Sequence, residues 1–244
     1  MEQPLAKHSA CNLCSINLSE YVSNPFTPYA QFDTEALVND IYFIVKAMDD
    51  IIDENLPNHA LPEQRDQVAK YRNIGIGIMG IHDAFIKHGI KYGSKESIEI
   101  LQSVMHVLFR HAVLASASIG YERGNFSGYD PKIWDSSILK QVFDEFEIKQ
   151  LKEDAALRNC SLLSVAPCGS IGTMINVSTG IEPWFSTHYT RNTKSLNGGQ
   201  DQSYEVWAPV VKKAMDLNWH VDSIVTAGEL NPQERLAVQA TVQN

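Results

Sequence analysis

Apolar residues recur at three- and four-residue spacing after Asp33 and Thr34. Leu37, Ile41, Ile44, Met48 and Ile51 fall on one face, which predicts an amphipathic helix capped at Asp33 or Thr34 and ending near Asp53. A second helix is predicted from about Ile81, with Gly89 as the residue that stops it. Ser94 caps a long helix to about Arg123, with Gly124 beyond it, and residues 143–156 read as another. Asn231-Pro232-Gln233-Glu234 combines Asn at the N-cap, Pro at the first helical position and Glu at the third, a strong helix start. Between these lie short apolar runs. Residues 8–18 read as a strand, and so do the glycine-bearing run Ile74 to Met79 and the run Leu162 to Ala166; His188 to Arg191 offers a fourth. Strands alternating with helices indicate an α/β barrel or a layered sheet.

The 244 residues contain no repeat, low-complexity tract or obvious linker, so residues 1–244 are taken as one unit. The helix over 232–244 stops mid-pattern without a C-cap, and the chain is expected to be a C-terminal fragment of a single catalytic domain. The composition, 44% apolar and 20% charged, is that of a globular protein. A net charge of −9 argues against direct DNA binding, which relies on Lys and Arg to neutralise phosphates; a nucleotide can still bind through backbone donors. No apolar run approaches a membrane span and no charged-then-apolar leader is seen, so a cytoplasmic location is expected. Four cysteines are too few for a disulfide scaffold in a chain of this length.

The most informative stretch is 158–173. A buried strand runs into Pro167, then Cys168, Gly169, Ser170, Ile171 and Gly172 open a helix. A turn of small residues at the positive end of a helix can point several N–H groups at a phosphate; an ordinary strand-to-helix turn favours the same residues. Cys11-Asn12-Leu13-Cys14 is a Cys-x-x-Cys. Zinc would need two more ligands, and Cys160 and Cys168, eight apart, do not have metal spacing. In a strand, residues three apart lie about 10 Å apart on opposite faces, whereas a disulfide needs Cα atoms within about 7 Å. Cys11 and Cys14 should therefore not pair, and Cys14 reads as a small buried apolar residue. Asp49-Asp50-Ile51-Ile52-Asp53 matches an Asp-Asp-x-x-Asp pattern that binds magnesium diphosphate in prenyl-transfer enzymes. No second acidic motif faces it, and the acids read as the solvated edge of the first helix. No metal site is assigned. The histidines form no His-x-x-x-His pair, and neither a Ser–His–Asp set nor a Walker phosphate loop can be read.

Taken together, these segments resemble the catalytic subunit of ribonucleotide reductases, most nearly the adenosylcobalamin-dependent class. That family carries Asn-Pro-Cys-Gly-Glu-Gln-Pro-Leu and, about nine residues after the Glu, Cys-Asn-Leu-Gly-Ser-Ile-Asn-Leu. Here Met1-Glu2-Gln3-Pro4-Leu5 is followed at that spacing by Cys11-Asn12-Leu13-Cys14-Ser15-Ile16-Asn17-Leu18. Met48 to Asp53 is similar to the family's Leu-Asp-Asn-Val-Ile-Asp, and Arg72 to Gly80 to its Arg-x-Ile-Gly-Ile-Gly-x-x-Gly. Ala166 to Ile171 is similar to Ala-Pro-Thr-Gly-Thr-Ile, and Gly180 to Pro183 matches Gly-Ile-Glu-Pro.

The resemblance implies a ten-stranded α/β barrel to which this chain contributes only C-terminal strands and helices. It implies reduction of ribonucleotides, expected to be diphosphates, to deoxyribonucleotides for DNA synthesis. Glu2 would be the general base on the 3′ hydroxyl, and Cys11 one half of the dithiol that becomes a disulfide. The Pro167–Gly172 turn would hold the substrate phosphates. Cys168 stands where a Thr or Ser is usual, which places one side-chain contact in question. The thiyl-forming Cys would lie two residues before Glu2, ahead of Met1, so the isolated chain is expected to be inactive. The implied partners are the N-terminal half of the same barrel, a thioredoxin- or glutaredoxin-type reductant and a second copy of the complete subunit. Adenosylcobalamin or a metal-radical partner subunit would supply the radical. A non-catalytic nucleotide-binding or assembly module that complements a separate N-terminal half is the alternative reading.

Overall fold

A computed structural model describes residues 5–154, 156–194 and 201–243. The chain enters through strand β1, Asn12–Asn17, and a 3₁₀ turn over Leu18–Tyr21. Two short strands, β2 (Val22–Ser23) and β3 (Gln31–Phe32), pair antiparallel before helix α1, Thr34–Asn55. Helix α2 (Pro62–Tyr71) leads to strand β4 (Ile74–Met79), helix α3 (Ile81–His88) and the long helix α4 (Lys95–Arg123). Then come α5 (Leu139–Val142), α6 (Glu145–Asp154) and the short α7 (Gly169–Ile175). Strands β5 (His188–Thr193) and β6 (Gln202–Trp207) and helices α8 (Pro209–Asp216) and α9 (Pro232–Gln243) complete the order.

β1 and β4 run parallel, with Asn12 opposite Ile74 and Asn17 opposite Met79. The predicted strand at 162–166 is a third, shorter neighbour on the far side of β4. Ile74 donates to the Ser161 carbonyl (3.1 Å), Ile76 to that of Leu162 (2.8 Å), and Ser164 to that of Ile76 (3.1 Å). The ladder ends there because the Ala166 amide turns back onto the Ser164 carbonyl. Ile74, Ile76 and Ile78 are fully buried in the main core with Leu37, Ile41, Leu108 and Ala112 of α1 and α4. The glycines between them face the other way and allow close approach: a Cβ at Gly77 would lie 2.7 Å from the Ser164 carbonyl oxygen. The described residues thus form an open patch of parallel strands backed by helices, and they form no closed barrel.

The helix ends follow local chemistry. Asp33 accepts the Ala36 amide at 2.9 Å, Ser94 caps α4, and Gly89 ends α3 in the left-handed region. Asn231 and Glu234 bond each other's amides at 2.8 and 3.0 Å, a reciprocal cap.

Three expectations change. The buried stripe of α1 runs through Leu37, Ile41, Val45, Met48, Asp49 and Ile52, while Ile51 is 44% exposed; the stripe is set by what α4 and β4 present, and drifts by one residue from the periodic count. The run at 188–191 is a strand, but β5 pairs antiparallel with β6 in its own ribbon, apart from the parallel sheet. Finally, α4 is long and apolar enough to cross a membrane by length and composition. It serves instead as a core helix: Leu101, Val104, Leu108, Ala112, Ala115 and Ile119 are buried, and its Arg110 pairs with Glu147.

Candidate active site

The third parallel segment delivers the chain into the Pro167–Gly172 turn at the C-terminal end of the sheet. Pro167, Gly169, Ser170 and Ile171 are exposed, whereas Cys168 and Gly172 are buried. The amides of Gly169, Ser170 and Ile171 begin α7, so no helical carbonyl lies behind them. The two glycines play different parts. A Cβ at Gly169 would meet nothing within 4 Å, while one at Gly172 would sit 2.6 Å from Thr179 Cγ2 and 3.2 Å from the Val177 carbonyl. Gly169 keeps the outer surface of the turn bare, and Gly172 allows the following loop to pack. The Cys168 side chain points inward: its Sγ accepts the Gly180 amide at 3.0 Å, and it packs with Met79 and Val177. The Cys168 side chain, whose contact with a ligand the sequence placed in question, is thus engaged by the 176–184 loop, while the exposed residues of the turn are Pro167, Gly169, Ser170 and Ile171.

The loop after α7 is tied down at several points. Val177 donates to the Gly172 carbonyl at 2.9 Å, and Gly80 to the Ser178 carbonyl at 2.8 Å. Ser178 donates its amide to Asp83 Oδ2 at 2.8 Å, and Trp184 donates its amide to His82 Nδ1 at 3.0 Å. The Tyr92 hydroxyl donates to the Ile181 carbonyl. His82 is 1% exposed, and burial pushes its pKa down to about 3. The neutral ring therefore accepts at Nδ1 and carries its proton on Nε2, which has no hydrogen-bond partner among the described residues. Burial raises the Asp83 carboxyl, against the pull of its bonds to Ser178.

Cys11 immediately precedes β1 and approaches Gly75, where an added Cβ would lie 3.2 Å from its Sγ. Leu13 meets the same glycine, so Cys11 and Leu13 share a face. Cys14, opposite Ile76, packs against the main core, as its reading as a small apolar residue requires. All four cysteines are free thiols. Burial raises the Cys11 thiol, partly offset by a hydrogen bond with Ser161; burial pushes Cys14 up to about 11. Glu2 lies outside the described residues. A cavity of about 960 Å³ runs along the 160–163 edge, lined by Met105, Phe109, Trp134 and Leu139; this largely apolar space is separate from the 167–172 turn.

The acidic run of α1 is a solvated edge only at Asp50 and Asp53, which are exposed. Asp49 is fully buried. Its carboxylate meets Arg72 Nη2 at 2.7 Å and Arg158 Nε at 3.0 Å, and Asn159 Nδ2 at 3.2 Å. Asp53 takes Arg72 Nη1 at 2.8 Å, and Asp50 takes Arg123. Arginines from the starts of two strands thus occupy the carboxylates that a magnesium diphosphate would need, and the prenyl-transfer reading loses its basis. Asp50, with a half-exposed side chain, is the member closest to the expected solvated edge.

The family model for the ribonucleotide reductase barrel domain matches residues 1–240. The chain belongs to this family. Over 99% of its length it is 31% identical to a vitamin B12-dependent ribonucleoside-diphosphate reductase of Thermoplasma acidophilum, and 30% identical to one of Mycobacterium tuberculosis. It is 26% identical over 77% of its length to a ribonucleoside-diphosphate reductase subunit alpha of Chlamydia pneumoniae. The chain spans about a third of the first two relatives, 31% and 34%, and 19% of the third.

In this ribonucleotide reductase barrel segment, sequence reasoning missed Asp49, Arg72, Arg158, His82 and Asp83 as organising residues. Two signals were present. An Arg-Asn pair stands directly ahead of β4 and again ahead of the 161–164 segment, at Arg72-Asn73 and Arg158-Asn159. Asp49 also sits on the apolar stripe of α1, where a lone carboxylate needs a partner. His82 and Asp83 carry no comparable signal, because their partners are backbone amides of a distant loop.

Proposed function

We propose that this chain is the C-terminal part of a ribonucleotide reductase catalytic barrel, ten-stranded when complete, that reduces ribonucleoside diphosphates. The observation that carries the reading is the family match over residues 1–240, with the bare, outward amides of the 167–172 turn at the end of the parallel sheet. In this proposal the amides of Gly169, Ser170 and Ile171 bind the substrate phosphates, aided by the positive end of α7. Glu2 takes the proton of the 3′ hydroxyl. A thiyl radical on the preceding part of the protein removes the 3′ hydrogen. The 2′ hydroxyl then leaves as water with a proton from one of two thiols, Cys11 and a second cysteine from that part. The pair supplies a hydrogen atom to C2′ and an electron to the 3′ ketone and becomes a disulfide. Glu2 returns its proton to the 3′ oxygen, and the thiyl cysteine gives its hydrogen back to C3′. A thioredoxin- or glutaredoxin-type dithiol restores the pair.

The relatives named as vitamin B12-dependent support adenosylcobalamin, rather than a metal-radical partner subunit, as the radical source. Among the described residues no group of three or more His, Cys, Asp or Glu is placed to hold a metal ion, and His82 is enclosed with Nδ1 occupied.

Calorimetric titration of cytidine diphosphate tests the reading. The chain should bind it, and Gly169→Val, which adds a branched side chain where a Cβ meets nothing within 4 Å, should weaken binding at least about tenfold, the loss of one or two charge-assisted hydrogen bonds. Equal binding by Gly169→Val would move the phosphate site elsewhere.

A further inference from the structure

α7 is poorly anchored by apolar contacts. It has seven residues, of which only Gly172 is buried, and Ile171, Met174 and Ile175 are 49%, 75% and 41% exposed. Cys168 and Val177 form a small cluster with Met79, separate from the main core. What orients the helix is therefore the 176–184 loop. The loop holds Cys168 through the Gly180 amide and Gly172 through the Val177 amide.

The loop in turn is held by the first turn of α3. We propose that Asp83 and His82 are positioning residues for the 167–172 turn: they latch the 176–184 loop by accepting the amides of Ser178 and Trp184, and the loop sets where the turn's donors point. Both side chains are buried, at 2% and 1% exposure, and both accept from backbone. The nearby cation on the same helix, Lys87, directs its ammonium to the Ser19 carbonyl at 2.6 Å, so Asp83 is left to the loop. The latch sits on the β4–α3 connection: Gly80, in the left-handed region at φ 71°, adds its own amide to the Ser178 carbonyl. Three bonds from positions 80, 82 and 83 thus fix a loop about 100 residues further along the chain.

The latch itself is tested on the full chain by the rate at which N-ethylmaleimide labels each cysteine, read by peptide mass spectrometry. In the wild type, exposed Cys160 should label fast and Cys168 slowly. Asp83→Ala should speed Cys168 at least about tenfold, the equivalent of one lost hydrogen bond to a charged acceptor, with Cys14 unchanged. Asp83→Asn, whose amide oxygen can accept the same N–H, should restore most of the protection. Cys168 as slow in Asp83→Ala as in the wild type would overturn the proposal. Should Asp83→Ala unfold and expose Cys14 as well, hydrogen exchange of the wild type decides: the amides of Ser178, Gly180 and Trp184 should exchange at least about tenfold more slowly than that of exposed Ser170, and equal rates would overturn the latch. The effect on ligand rests on the phosphate reading above. Cytidine diphosphate should bind about tenfold more weakly to Asp83→Ala and recover in Asp83→Asn. If the wild type binds none, that reading fails, while the labelling still decides the latch.

Discussion

Arg158 Nε lies 3.0 Å from Asp49 Oδ2, joining positions 109 residues apart at a carboxylate with no solvent exposure. Arg72 completes the arrangement. It is a non-glycine residue in the left-handed region, at φ 47°, held there by bonds to Asp49 and Asp53. The two arginines precede two parallel neighbours in the sheet, and the single carboxylate ties both strand starts to α1.

Removing that carboxylate should be costly. Asp49→Ala would take from Arg72 its only fully buried partner and leave it the half-exposed Asp53; breaking a buried pair typically costs about 3–5 kcal/mol. Asp50→Ala, at a half-exposed pair with Arg123, should cost less than about 1 kcal/mol. Urea denaturation of both variants measures the difference. Similar losses would show that burial of Asp49 contributes little.

The two glycines of the α7 turn should respond in opposite ways. Gly172→Ala drives a methyl to 2.6 Å from Thr179 Cγ2 and should destabilise the chain by about 1–3 kcal/mol through overpacking. Gly169→Ala meets open space and should be neutral or stabilising by up to about 1 kcal/mol, because it restricts the unfolded chain. Thermal melts of the pair check the order.

Cys11 and Cys14 should not form a disulfide in the folded chain. Cys11 approaches Gly75 and Cys14 the core side at Ile76, and alternation along a strand turns them apart. Mild oxidation followed by non-reducing peptide mapping should return both as separate thiols or as pairs with other partners. A Cys11–Cys14 bridge would mean that this end of β1 is not extended.

Alkaline stability should depend on Cys14. Burial raises its thiol from 9.0 to about 11, so the fold favours the protonated form. Its contribution is complete below about pH 9 and is lost as pH rises through 11. Cys14→Ala should lower the slope of stability against pH between 9 and 11 by up to about 1.4 kcal/mol per pH unit. The remaining slope comes from groups such as Tyr21, Tyr42, Tyr92, Cys11 and Cys160, which burial also raises. Denaturation at stepped pH gives both slopes, and parallel curves would remove Cys14 from the account.

Periodicity and caps were enough to place α1, α3, α4 and α9, a strand within 8–18 and the strand at 74–79, because those signals act within one or two turns of chain. The ordered motifs from Cys11 to Pro183 were likewise enough for the family. The tertiary structure alone decided that the buried stripe of α1 takes in Asp49 and leaves out Ile51, that Asp49 is enclosed by arginines from 72 and 158, that β5 turns to β6, and that Cys168 faces Gly180. Each of these is set by a partner that arrives from a distant part of the chain. A carboxylate on a helix edge and a carboxylate in a buried ion pair look alike in sequence until packing brings the cation to one of them.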